Sequence, residues 1–94
     1  MLRKVGTTPE GINVVANTFK LFDTRGLPLD IMLDLMRENN MIPDWIDFYQ
    51  EASASGWKDK TIRLRIHTAV VDIYGEEYGD EVLNRLNSYI EKFA

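Results

Sequence analysis

The chain has 94 residues, 45% of them apolar and 28% charged, with eleven basic and fifteen acidic side chains, no cysteine and one histidine. That length suits one domain around a single core, and the missing cysteines and lone histidine exclude a disulfide framework, a thiolate metal centre and a paired-imidazole zinc site. Apolar runs break far short of the roughly 20 residues that span a bilayer, and a net charge of −4 argues against wholesale binding to nucleic acid or anionic lipid. A cytoplasmic protein without a membrane segment is expected.

Residues 1–7 are expected to form a flexible N-terminus. In "TTPEGINVVANTFKLFDTRG", Thr8 suits a helix cap, Pro9 the first helical turn and Glu10 the positive helix end. Ile12, Val15, Ala16, Phe19 and Phe22 recur at steps of three and four, which predicts one long amphipathic helix ended by Gly26. A second helix opens at Pro28, with Leu29, Met32, Leu33 and Met36 as its buried stripe, and "NNMIP" breaks it.

Pro43 and Asp44 open a third helix, on which Trp45, Phe48, Tyr49 and Ala52 share one side until Gly56. The fourth segment, from Asp59, carries Ile62, Ile66, Ala69, Val70 and Ile73 at helical spacing and ends at Gly75. Its start, "TIRLRIH", also alternates as a strand would, but the alternation fails at Ala69-Val70-Val71, so the period favours a helix. A last helix, with its N-terminus around Asp80, presents Val82, Leu83, Leu86, Tyr89, Ile90 and Phe93. The expected fold class is therefore all-α: a compact single-domain bundle of about five short helices, held by burial because short helices have little stability alone.

Charge is polarised along the chain. Residues 58–67 carry Lys58, Lys60, Arg63 and Arg65 against Asp59, a net of +3, while the remainder has a net of −7. On a helix Lys60, Arg63 and His67 share a face, with Arg65 on a neighbouring flank. These bases can solvate the helix and pair with acids such as Asp44, Asp47, Glu51, Glu76 or Glu77, or they can dock on a partner, for which complementary charge would steer and orient the contact. Trp57, between a glycine and the charged run, is the aromatic expected to be partly exposed.

Ala52, Gly56, Trp57 and Ile62 follow a small, glycine, apolar, apolar spacing that resembles the helix-turn-helix family of DNA-binding domains, over about residues 48–66. The resemblance implies a supporting helix before Gly56 and a recognition helix from Asp59. It would turn Lys58, Lys60, Thr61 and Arg63 toward DNA, with Arg65 beside them. Glu51, Ser55 and Arg65 depart from the pattern, since the family keeps apolar residues there.

Chemistry-bearing motifs are otherwise absent. Asp44 and Asp47 lie one turn apart, yet acid–base work also needs a cleft and shifted pKa values. Glu76, Glu77, Asp80 and Glu81 lack the alternating ligands of a calcium loop and suit a helix N-terminus. No cofactor, metal or small-molecule substrate is implied. The expectation is a non-enzymatic accessory protein that binds a protein partner or itself, with DNA as the alternative, through Trp57, Lys58, Lys60, Thr61, Arg63, Arg65 and His67.

Overall fold

The computed structural model describes residues 2–93, with the element order β1 Arg3–Thr7, β2 Asn13–Ala16, α1 Thr18–Arg25, α2 Leu29–Glu38, β3 Met41–Pro43, α3 Trp45–Ala54, α4 Asp59–Tyr74 and α5 Glu76–Phe93. Five helices carry most of these residues, but a three-stranded sheet joins them, so the molecule is mostly helical and not all-α. None of the helices is long and apolar enough to cross a membrane.

Residues 3–16 form neither the flexible tail nor the start of the long helix that their sequence predicts. Instead Arg3–Thr7 and Asn13–Ala16 pair antiparallel, with an irregularity in the register between Lys4 and Gly6. "TPEG" is the turn of this hairpin: Gly11 N–H donates to Thr8 O at 2.9 Å, and Thr8 Oγ1 accepts from Ile12 N–H at 3.0 Å. Proline at the second turn position and glycine at the fourth are also the signature of a type I turn. The residues that favour a helix start thus serve a turn equally well. Ile12, Val14 and Val15 are β-branched and gain from pairing on a pleated surface.

Asn17, in the left-handed region at φ 70°, separates β2 from α1, whose buried residues Phe19 and Phe22 keep the expected three-residue step. Gly26 closes α1, also left-handed, with its N–H on Phe22 O. Chain then passes through α2 and returns as β3, parallel to β2, with Asn13, Val14 and Val15 opposite Met41, Ile42 and Pro43. "MIP", read as a helix breaker, is therefore also an edge strand, a place where a proline costs no ladder bond.

Asp44 caps α3 as expected, its carboxylate accepting from Asp47 N–H at 3.2 Å. Asp47 in turn accepts from Asn17 N–H at 2.9 Å and so pins the start of α1. These two carboxylates serve helix termini. Next to them Glu51 has a buried Oε1 without a hydrogen-bond partner, and burial, followed by the Asp47 charge, pushes its carboxyl up.

Helix α4 begins at Asp59 but is flanked by Lys58 in the cap position, without a side-chain cap. The last helix starts at Glu76, four residues before Asp80, because Gly75 at φ 97° turns the chain directly from α4 into α5. One core unites all five helices, from Phe19 and Phe22 through Leu33, Phe48 and Ala52 to Ile62, Ile66, Val70, Val82 and Leu86.

Candidate functional site: the outer edge of helix α4

Helical spacing places Ile62, Ile66, Ala69 and Val70 against the core, each at most 5% exposed. With one side so occupied, the remaining residues of α4 divide between two flanks. Arg63, His67 and Val71 are half-buried along α5, while Lys60, Thr61, Leu64, Arg65 and Thr68 are exposed. The sequence grouping of Lys60, Arg63 and His67 on one face is therefore split by the packing of α5.

Arg63 Nη1 donates to Asn87 Oδ1 at 3.1 Å, and its Nε is buried without a partner. His67 Nε2 lies 2.9 Å from Asp80 Oδ1. Gly79 makes this approach possible, since a methyl group there would meet Val71 Cγ2 at 2.4 Å, with His67 Cδ2 at 3.5 Å. Arg63 and His67 thus tie α4 to α5. Their partners are not the acids named from sequence: Asn87 is neutral, and Asp80 was expected to serve a helix terminus.

Arg65 takes the opposite flank, its guanidinium 5.4 Å from the ring centroid of Trp57 and 5.8 Å from that of Phe22. Trp57 is half-buried as expected and meets Phe19 and Phe22 edge-on, at 5.6 and 5.8 Å between centroids. A cation over aromatic faces gains about 0.5–1 kcal/mol at an exposed site. The Arg65 stem also covers apolar surface that a leucine would otherwise cover.

Lys58 and Lys60 are exposed, and among the described residues no carboxylate forms an ion pair with either. Beside them is a residue that the charge pattern concealed: Leu64 is 63% exposed, between two arginines. It borders a groove of about 590 Å³ between the start of α2 and α4, lined also by Pro28, Leu29, Arg65 and Ala69. Leu64 falls off the buried stripe Ile62-Ile66-Ala69-Val70, and that mismatch was the available signal.

The small, glycine, apolar, apolar spacing falls at the turn between α3 and α4. Ala52 and Ile62 are fully buried. Gly56 has φ 97°, a left-handed value that side chains resist, and Trp57 N–H donates to Ala52 O at 3.0 Å.

Asp59, in the first turn of α4, accepts from Tyr49 Oη at 2.5 Å and so docks α4 on α3. This hydrogen bond, then burial, then the Asp59 charge, push the Tyr49 phenol up to about 12 from 10.0. Burial also raises Tyr74 and Tyr78. Between pH 10 and about 12 the folded chain therefore keeps a Tyr49 proton that the unfolded chain releases. Stability from this contact is complete below pH 10 and declines as pH rises through the folded value. Denaturant midpoints measured from pH 9 to 12 are expected to fall less steeply for Asp59→Asn than for the parent; superimposable curves would refute the coupling.

No protein-family model, curated protein or solved structure matches the chain.

Proposed function

We propose that the protein is a non-enzymatic module that binds an acidic protein surface through the outer edge of α4, with a second copy of the chain as the partner. Leu64 carries the proposal. A leucine 63% exposed on a helix, bordered by the unpaired Lys60 and by Arg65, combines an apolar anchor with a positive rim. The same chain supplies the complementary charge, since residues outside 58–67 have a net of −7 and Glu76 and Glu77 are exposed at the start of α5. Opposite charges would orient the encounter and the leucine would slow dissociation.

An edge this small belongs with weak, reversible contacts. Sedimentation equilibrium of the parent chain is expected to give a mass that rises with concentration and less steeply at high salt. Leu64→Glu, at a side chain already in water, is expected to leave the fold intact and hold the mass at one chain. A parent that stays at monomer mass at every concentration overturns self-association.

A second reading, sequence-tolerant DNA binding, draws on the buried Ala52 and Ile62 around the left-handed Gly56. In that reading Lys58, Lys60 and Thr61 at the N-terminal end of α4 approach the duplex, whereas Arg63 and His67 stay on α5. Affinity for random duplex DNA measured across salt concentrations decides it. Binding would weaken steeply with salt, and Lys60→Ala would reduce the slope by about one unit. No binding at low salt removes this reading.

A further inference from the structure

The hairpin turn and the sheet, with the start of α3 and the facing parts of α4 and α5, line a cleft of about 510 Å³. It shares no lining residue with the groove beside Leu64. Its walls are apolar and aromatic: half-buried Ile12, Val14 and Ile46 face Tyr74 and Tyr78, whose rings meet at 63° with centroids 5.3 Å apart. Clefts of this size and lining are the usual form of small-molecule sites.

Two polar atoms in the lining residues are buried: the indole N–H of Trp45, which is turned toward the Tyr78 oxygen, and the hydroxyl of Tyr74, which has no hydrogen-bond partner. Trp45 is only 3% exposed, so the surrounding water does not compensate its donor. Burial pushes the Tyr78 phenol up, opposed by the Arg85 charge and by the Trp45 indole N–H at its oxygen. Tyr78 itself remains half-exposed; its oxygen faces the Trp45 indole N–H, so its own proton is the donor that an incoming acceptor would meet.

Charge at the rim narrows the ligand further. Glu10, Asp44 and Glu81 outnumber Arg85, so the entrance repels anions. An anion is therefore a poor occupant, and a neutral oxygen suits the Tyr78 donor.

We infer that this cleft binds a compact, uncharged, planar molecule bearing a carbonyl oxygen, which accepts from the Tyr78 hydroxyl with the Trp45 indole N–H behind it. The flat body lies between the aromatic wall of α4 and α5 and the branched side chains of the hairpin. Aromatic contacts of this kind favour offset or edge-on geometry and tolerate a range of ring sizes.

Benzamide is a suitable probe, followed through the two indole N–H signals of the ¹⁵N-labelled chain. Trp45 is expected to shift along a saturating curve while Trp57, on the far side of the core with Phe19 and Phe22, stays in place. Benzoate should bind more weakly than benzamide. Loss of one hydrogen bond in Tyr78→Phe should weaken benzamide binding about threefold to tenfold. Ile12→Trp, which fills the cleft from the half-exposed turn, should abolish it even where Tyr78→Phe fails to fold. A Trp45 signal that moves without saturation, moves together with Trp57, or responds unchanged in Ile12→Trp overturns the inference.

Discussion

Phe48→Ala is expected to cost about 3–5 kcal/mol, the range for removing a buried phenylalanine from a core. Phe48 is 1% exposed and meets Phe19, Phe22 and Trp45 at centroid distances of 5.3, 6.0 and 5.9 Å. Its ring joins α1 to α3, so truncation removes transfer energy, leaves a void and breaks three aromatic contacts together. Surrounding rings are too large to collapse into that space without leaving their rotamers. Since a domain of this size has total stability of about 5–15 kcal/mol, the thermal midpoint should fall on the order of 20 °C. A calorimetric shift of only a few degrees would show that the cluster repacks.

Gly79→Ala should also destabilise, although alanine is the better helix former. At an exposed helix site this change gains about 1 kcal/mol. Here the new methyl would sit 2.4 Å from Val71 Cγ2 and 3.3 Å from the Val71 backbone nitrogen. Valine in a helix has one strongly preferred rotamer, so its methyl cannot swing aside. Relief must come from separating α4 and α5, at an overpacking cost of about 1–3 kcal/mol, leaving a net loss of about 1 kcal/mol after the propensity gain. Adding Val71→Ala should restore part of the loss, giving a double-mutant coupling of opposite sign to the single effects. Additive effects would place the strain elsewhere.

These two sites differ in how visibly the sequence announced them. Phe48 lies on the stripe Trp45-Phe48-Tyr49-Ala52, whose steps of three and four match the period of a helix, and all four are buried. Gly79 belongs to "GEEYGDE", a stretch that reads as a loop or helix start, with every glycine at a segment end. Its place inside α5 became apparent only once α4 was packed against it.

Residues 8–16 differ from their local pattern for a related reason. Thr8, Pro9 and Glu10 have the same local preferences at a helix N-terminus and in a type I turn. Spacing from Ile12 to Phe22 fits a helix, yet β3 offers Asn13–Val15 a partner that lies 28 residues on. Local sequence does not contain that partner. Non-local pairing therefore outweighed a plausible local period, and it converted the expected bundle into a helical fold with a small mixed sheet.

The exposure of the proposed edge was partly legible. Trp57, Lys58, Lys60 and Thr61 occupy the exposed or half-exposed end of α4. Arg63 and His67 turn toward Asn87 and Asp80, and Arg65 lies over two rings. Charge counts treat every base alike. They carry no record of which flank a later helix will cover.

By itself the sequence determined the helical period of α2 to α5, the residues of their buried stripes and the polarised charge, because spacing and composition are properties of neighbouring residues. Tertiary structure alone decided the hairpin, the contact of α4 with α5 at Gly79, the exposure of Leu64 and the cleft beside Tyr78. Each of these depends on which surfaces pack together, where shape and competing partners select among conformations that local preference leaves equal.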